Sequence, residues 1–281
     1  MNRIGISTWL ALAPVVLFAQ VPDLKVSFAA PSYEYTLFAQ AMDATVDEYG
    51  PYRLVGHNLK LTEDRAVALL NSGRIDVVTL VLTPERETKI LPIRVDLTRG
   101  LQGYRLFLIR KQDQSRFDTV TTLDDLRTRF MAGFGNQWGD FRALQTNKLP
   151  TVAVTDPTTL YSMLQGQRFD YFPRGVNEVW DNLAAHRAEA PDMVIERRLA
   201  LYYPMIQCYE VAPTNIALAT RIQKGLDILI VNGGMKKLFL QFYRQAIDQA
   251  ALGNRKVFDL VNPELPTQGP TVDRTWWLGH P

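Results

Sequence analysis

One short pattern occurs twice in this chain, and it constrains the fold more than any other feature of the sequence. Residues 69–78 read LLNSGRIDVV and residues 163–172 read MLQGQRFDYF, at a constant offset of 94 residues. Each copy combines a helix end, a polar turn, an arginine, an aspartate and a buried strand. Two interpretations stay open. The likeness is either a coincidence between two ordinary helix–turn–strand units or the mark of two similar α/β lobes.

Strand and helix patterns alternate along the rest of the chain. The capping hydroxyls of Ser32, Thr62 and Thr122 each precede a helical pattern. The predicted strands cover residues 24–28, 75–82, 104–109, 131–134, 152–154 and 169–172. This alternation predicts an α/β chain with mostly parallel sheets. A length of 281 residues suits about two domains.

The first twenty residues have the layout of a secretory signal peptide. Arg3 precedes an apolar stretch that ends at Phe18, and the small residue Ala19 follows it. The stretch is short for a membrane helix, which needs about 20 apolar residues. A retained membrane anchor and a buried N-terminal helix are the alternatives. A signal peptide over residues 1–20 predicts a mature protein in the periplasm.

Composition excludes several classes of function. The net charge is +2, from 31 basic and 29 acidic residues, which predicts no nucleic-acid partner. Cys208 is the single cysteine and there are three histidines, so we expect neither a disulfide framework nor a metal site. The glycines at 133, 135 and 139 miss the dinucleotide-binding spacing by one place, and we expect no cofactor. No serine lies in a nucleophile elbow, so we expect no enzyme of that type.

Two arginines are the best candidates for ligand binding. Arg86 and Arg174 each come shortly after one of the two repeated strands, Arg86 two residues after Pro84 and Arg174 directly after Pro173. The carboxyl ends of strands are where open α/β sheets bind ligands. A guanidinium presents a planar fork to a carboxylate or phosphate. Structural ion pairs with nearby glutamates are the alternative for both residues.

Polar and small residues near these arginines complete the candidate site. Thr83 precedes Arg86 as a possible cap, and Gly175 beside Arg174 allows close approach of backbone to a ligand. The loop GFGNQWGD ends a strand and opens a helix, so it offers backbone N–H groups to an anion, unless it is simply a tight turn. By contrast, Asp76 and Asp170 begin their strands, away from that end, and we expect structural roles for them.

The order of these motifs resembles a known family. The chain carries in succession LLNSGRIDVVTLVLTPERETKILPI, GLQGYRLFLIRK, TLDDLRTRFMAGFGNQWGD, TLYSMLQGQRFDYFPRGVNEVW and VAPTNIALATRIQKGLDILIVNGGMKKLF. Over about residues 24–245 it is similar to the type 2 periplasmic binding proteins, specifically the bacterial extracellular solute-binding family 3. The resemblance implies two α/β lobes, each a mostly parallel sheet flanked by helices, joined by two crossover strands.

The resemblance also implies a domain division. Gly103–Arg110 and Tyr203–Pro213 match the two crossings. The first lobe is then discontinuous. The implied division is a signal peptide at 1–20, a first lobe at 21–107 and 206–262, a second lobe at 108–205, and an irregular tail at 263–281.

In the family, an arginine in a T-x-x-R pattern grips the ligand carboxylate, and Thr83–Arg86 matches that pattern. A loop of the second lobe supplies backbone donors. The matching residues are Gly135, Asn136, Gln137 and Trp138. Amino-acid binders usually place an acid a few residues after the second-lobe aspartate, whereas this chain has Arg174 and Gly175 there. That departure favours an anionic ligand over a free amino acid.

The resemblance implies a periplasmic protein that captures a small, anionic organic solute by hinge closure, as a monomer that delivers it to the membrane permease of an ABC importer. Trp138, Tyr104 and Tyr171 are either aromatic walls of the cleft or core residues. A sensor module for a membrane signalling protein is one alternative. A dehydratase-type enzyme is another, with Glu178 as its general acid or base.

Overall fold

The structure is a computed structural model that describes residues 21–57 and 61–266. The strands are β1 (Asp23–Val26), β2 (Arg53–Gly56), β3 (Val78–Val81), β4 (Leu91–Ile93), β5 (Tyr104–Arg110), β6 (Ala132–Gly135), β7 (Thr151–Val154), β8 (Tyr171–Gly175), β9 (Met193–Ile195), β10 (Leu199–Tyr202), β11 (Gln207–Val211) and β12 (Lys256–Asp259). The predicted signal peptide and the tail beyond residue 266 lie outside the described residues.

The helices alternate with these strands. They are α1 (Tyr33–Asp43), α2 (Val46–Tyr49), α3 (Glu63–Asn71), α4 (Pro84–Glu87), α5 (Gln114–Phe117), α6 (Leu123–Arg129), α7 (Phe141–Thr146), α8 (Leu160–Gln165), α9 (Val179–Ala185), α10 (Ile216–Val231) and α11 (Gly234–Ala250). The predicted caps are confirmed, because the side chains of Ser32, Thr62 and Thr122 accept hydrogen bonds from the first turns of α1, α3 and α6.

The first lobe is built on β1–β4 and β11. β1 and β2 pair in parallel, and a parallel bridge between Val26 and Val77 joins them to the segment that enters β3. β11 lies between β3 and β4 and is antiparallel to both. Helices α1 and α11 pack together through an aromatic cluster in which Tyr33 meets Phe239 and Tyr243, and α10 packs against both helices.

The second lobe is built on a seven-stranded sheet. Its order is β12-β10-β5-β8-β6-β7, with β9 also paired to β5. β6 is parallel to β7 and β8, and β10 is parallel to β12, whereas β5 is antiparallel to its neighbours. Phe107, Phe117 and Tyr171 fill the core on one side of this sheet.

The sequence repeat corresponds to a repeated structure. Asp76 accepts a hydrogen bond from the backbone N–H of Lys25 at 2.7 Å and donates its own N–H to the Lys25 carbonyl at 2.7 Å. Asp170 does the same with Met131, at 2.9 Å and 2.8 Å. Both aspartates therefore fasten the start of one strand to its neighbour, which agrees with the structural role predicted for them.

Strand pairing differs from the implied domain division at two places. The resemblance implies a first lobe at 21–107 and 206–262, whereas β5 places residues 104–107 in the sheet of the second lobe. β12 also lies in that sheet, where it pairs in parallel with β10, with Lys256 opposite Leu199. The pattern of residues 256–259 resembles any short strand, and nothing local to it indicates which sheet it joins. The chain thus passes between the lobes a third time after α11, in addition to the crossings into β5 and out of β10.

Candidate functional site

The two lobes enclose a small polar cavity. Its volume is about 180 Å³, which is room for several water molecules. The first lobe contributes Glu63 and Val81, and the crossing segments contribute Gln102 and Met205. The second-lobe residues that line it are Arg105, Trp138, Asp140, Arg174 and Glu178. Acidic and basic side chains thus face one another across the lobe interface.

A second, outer cavity of about 300 Å³ adjoins the inner one at Trp138, which lines both. Thr83 and Arg86 reach it from the first lobe, and Asn136 and Gly139 from the second. The lobes touch here, since a Cβ atom added to Gly139 would lie 3.0 Å from Nη1 of Arg86. The described cleft is therefore closed around Arg86.

Arg86 lies in the cleft, as the T-x-x-R pattern predicts. Thr83 caps the one-turn helix α4, with its Oγ1 accepting from the Arg86 N–H at 3.3 Å. Nη1 donates to the Val81 carbonyl, and Nη2 pairs with Glu63. Burial lowers the pKa of the Arg86 guanidinium, against the charges of nearby acids such as Glu210. Its ion-pair partner thus comes from the start of α3, about twenty residues earlier in the chain.

Arg174 also lines the cleft, although it lies within β8 and not beyond the strand. Its Nη2 pairs with Glu178 at 2.6 Å, and its Nε donates to Asn182 at 2.6 Å. The guanidinium carbon lies 4.8 Å from the ring centroid of Trp138. The other Glu178 oxygen accepts from the backbone N–H of Gly175 at 3.1 Å. A ligand that reaches Arg174 therefore competes with, or joins, a carboxylate already in place.

Arg105 is a cleft residue that sequence reasoning did not identify. It projects from β5, and its Nε donates to the Tyr203 hydroxyl at 2.9 Å while Nη2 donates to Asp140 at 2.7 Å. Nη1 lies 3.5 Å from Glu178. Burial alone would lower the pKa of Arg105, but Tyr203, Asp140 and Glu178 raise it above its ordinary value. An arginine near the start of the strand pattern YRLFLI, residues 104–109, was the signal available in the sequence.

The loop after β6 contributes side chains and less backbone than expected. Asn136 and Trp138 line the outer cavity, yet the Asn136 N–H donates to Val154 at 2.9 Å and the Trp138 N–H to Gly135 at 3.3 Å. Gln137 lines neither cavity among the residues described. Two of the expected backbone donors are therefore already engaged within the second lobe.

Of the three candidate aromatic walls, only Trp138 faces the cleft. Tyr171 is fully buried in the second-lobe core, 4.7 Å from the Phe107 ring centroid. Tyr104 is buried against Tyr202 at 4.4 Å. Tyr104 and Tyr171 thus take the core role that was the alternative for them.

No protein-family model and no curated protein matches this chain. Solved structures do match it in fold. The arginine-specific periplasmic binding protein of Salmonella typhimurium superposes with a TM-score of 0.56 at 17% identity, over 79% of this chain and 98% of the other. The amino acid ABC transporter substrate-binding protein AbpA of Streptococcus pneumoniae, bound to L-arginine, gives 0.54 at 14% identity, over 80% and 94%.

A third match is the ancestral amino acid-binding protein AncCDT-1, a precursor of cyclohexadienyl dehydratase. Its TM-score is 0.54 at 13% identity, over 79% of this chain and 94% of that one. The chain therefore has the two-lobed fold of the periplasmic binding proteins, and the fold predicted from the sequence is confirmed. Across the described residues, no helix is long and apolar enough to cross a membrane.

Proposed function

We propose that this protein captures a small polar solute between its two lobes and delivers it to a membrane permease. The observation that carries the proposal is the inner cavity between the lobes, to which both lobes contribute charged side chains. A solute that touches both lobes stabilises the closed state by its differential contacts, and closure commits it to transport. The matched structures include an arginine-specific periplasmic binding protein and an ABC transporter substrate-binding protein, which favours transport over sensing.

The charge balance of the cleft narrows the solute class. The sequence predicts an anionic solute, because it places two arginines at the site. In the cleft, however, Arg86 pairs with Glu63, Arg174 with Glu178, and Arg105 with Asp140. A purely anionic solute would meet as many carboxylates as guanidiniums. A zwitterion of amino-acid size can satisfy both and suits the 180 Å³ cavity.

Binding without turnover is part of the proposal. A general acid in the cleft needs a carboxyl group free to exchange a proton with the solute. Glu178, the candidate for that role, is held by Arg174 and by the Gly175 N–H. We place the protein in the periplasm as a monomer, on the signal-peptide pattern of residues 1–20 and on the fold it shares with periplasmic binding proteins.

A thermal-shift screen tests this function directly. The protein, purified from a periplasmic fraction, is melted with each of the common L-amino acids and with C3–C6 dicarboxylates, since binding to the native state raises Tm. We expect a zwitterion to give the largest rise. A larger rise in Tm with a dicarboxylate would favour the anionic solute that the sequence predicts. No rise with any compound would contradict the proposal. Proton NMR of the best binder, incubated with the protein, checks that it stays unchanged.

Two variants then locate the site. Arg86→Ala and Arg174→Ala should each weaken binding of the best compound at least about tenfold, because a charge-assisted hydrogen bond contributes about 1.5–3 kcal/mol. Arg187→Ala, an exposed arginine on the outer surface of the second lobe, is the matched control and should bind as the wild type does. Unchanged affinity in both cleft variants would show that neither Arg86 nor Arg174 contributes to binding of the solute.

A further inference from the structure

The C-terminal part of the described chain belongs to neither lobe alone. After α11 the chain leaves the first lobe and enters the second-lobe sheet as β12, and residues 260–266 then run back toward the first lobe. We call residues 255–266 the C-terminal leg. It lies beside the second crossing segment, since the Leu260 N–H donates to the Tyr202 carbonyl at 2.7 Å.

Arg255 clamps the start of the leg to both lobes. Its Nε donates to the Ala250 carbonyl, at the end of α11 in the first lobe, at 2.6 Å. Its Nη1 donates to the carbonyls of Glu196 and Leu199 in the second lobe, at 2.5 Å and 3.2 Å. The guanidinium is 7% exposed. One buried side chain thus joins the two lobes at their boundary.

The middle of the leg is fixed to the second lobe. Phe258 and Leu260 are buried in the second-lobe core. The side chain of Asn147, at the end of α7, donates to the Val261 carbonyl at 2.7 Å and accepts from the Val261 N–H at 3.1 Å. This two-point contact makes residues up to 261 move with the second lobe.

The end of the leg is seated on the first lobe. Leu265 packs against the buried cluster of Leu82, Ile206 and Cys208. Leu82 follows β3 directly, Ile206 precedes β11, and Cys208 lies in β11. Between Val261 and Leu265, the Asn262 side chain donates to the Pro204 carbonyl at 2.8 Å. Glu264 lines the outer cavity of the cleft. The leg therefore spans the hinge and also borders the ligand site.

We propose that the C-terminal leg is a third hinge element that holds the cleft closed. When the lobes open, Leu265 must separate from its apolar cluster on the first lobe, because Asn147 holds the leg to the second lobe. Exposing that apolar surface to water is unfavourable. The contact of Leu265 with the cluster therefore raises the fraction of molecules in the closed state. The inference rests on the proposed function in assuming that the lobes open and close.

Pulsed electron paramagnetic resonance measures the effect without a known solute. Spin labels are attached at Val231→Cys, on the exposed end of α10, and at Ala184→Cys, on the exposed side of α9. Leu265 covers the native Cys208, so Cys208→Ala is introduced into every protein compared to keep this thiol from taking the label. We expect Leu265→Ala to raise the population at long inter-lobe distances at least about threefold. Val261 is an exposed residue of the leg, and Val261→Ala keeps the contact of Leu265 with the first lobe. This variant should give the same distance distribution as the wild type.

Equal distance distributions for Leu265→Ala and Val261→Ala would overturn the inference. Leu265→Val, a milder truncation, guards against misfolding of the alanine variant and should give a smaller shift in the same direction. Repeating the wild-type measurement with L-arginine and with L-glutamate separates this result from the proposed function. If a solute closes the lobes but Leu265→Ala has no effect, the proposed role of the leg is contradicted and the proposed binding function is not. If Leu265→Ala has an effect but no solute closes the lobes, the proposed role of the leg is supported and the result counts against the binding function.

Discussion

Arg174 lies with its guanidinium carbon 4.8 Å from the ring centroid of Trp138, and the same carbon is 5.0 Å from the ring of Phe172. The arginine projects from β8 and the tryptophan from the loop that precedes α7, so two separate segments of the second lobe form one cation–aromatic unit. Because Trp138 lines both cavities, a solute that contacts Arg174 also changes the surroundings of the indole.

This contact predicts a fluorescence signal on binding. Titration with the best compound from the thermal-shift screen should change the intrinsic tryptophan emission of the wild type. Trp138→Phe should lose most of that change, whereas Trp180→Phe, on α9 and lining neither cavity, should keep it. The opposite pattern would show that the solute does not approach Trp138.

A side chain at position 139 should weaken binding without unfolding the protein. A Cβ at Gly139 would lie 3.0 Å from Nη1 and 3.4 Å from Nη2 of Arg86. The end of a flexible side chain can move aside, so Gly139→Val should displace Arg86 and leave the fold intact. We expect about a tenfold loss of affinity, which corresponds to about 1.4 kcal/mol, with a Tm close to that of the wild type.

Isothermal titration calorimetry with the best compound measures the effect of Gly139→Val. Ala184→Val places the same valine side chain at an exposed helix position and serves as the control. Equal affinities for the two variants would mean that contact between Arg86 and Gly139 has no part in binding.

Local sequence signals predicted the repeated units well. The caps of α1, α3 and α6 depend only on neighbours within one helical turn. Asp76 and Asp170 were identified by their equivalent places in the repeat, although their partners Lys25 and Met131 are 51 and 39 residues away. The offset of 94 residues therefore corresponds to two sets of equivalent backbone hydrogen bonds. Arg86 was also found in this way, because its T-x-x-R turn is local.

Pairing between distant segments was not predictable from the sequence. The glutamates expected as partners of Arg86 were its neighbours, yet Glu85 pairs with Lys89, Glu87 pairs with Arg94, and Arg86 pairs with Glu63. Which acid meets which arginine depends on how α3 packs beside α4, and a one-dimensional pattern does not contain that information. The same reason explains why the place of β12 in the second-lobe sheet was missed.

Removing the buried partner of Arg105 should destabilise the protein strongly. Arg105 is 5% exposed, and Asp140 accepts hydrogen bonds from both Arg105 and Tyr203, each at 2.7 Å. Asp140→Leu leaves the guanidinium buried without its main counter-charge, and breaking a buried pair costs about 3–5 kcal/mol. Asp140→Asn keeps an acceptor and should cost less.

Urea unfolding followed by circular dichroism measures these free energies. Asp181→Leu changes an exposed aspartate on α9 and should stay near the wild-type value. A loss below about 1 kcal/mol for Asp140→Leu, a size typical of exposed pairs, would mean that Arg105 is not held by Asp140 in solution.

Glu210 should make the stability of the protein fall as pH rises. It is fully buried on β11 between Val78 and Pro92. Burial raises the pKa of Glu210 well above its usual value, and the positive charge of Arg86 and the backbone N–H of Leu80 offset this only in part. The folded state therefore keeps a proton that the unfolded state releases. Its stabilising contribution is complete below the unfolded pKa of about 4.3 and is lost as pH rises through the raised folded pKa.

Glu210→Gln isolates this effect, because glutamine is neutral at every pH and has nearly the same shape. Urea midpoints of both proteins are compared from pH 5 to pH 8. Burial also raises the pKa of Asp96, to about 6, which adds a loss of the same sign, but Asp96 is present in both proteins and cancels in the difference. We expect the wild type to lose stability relative to the variant as pH rises. A difference that stays constant across this range would show that Glu210 holds the same protonation state, folded and unfolded, throughout it.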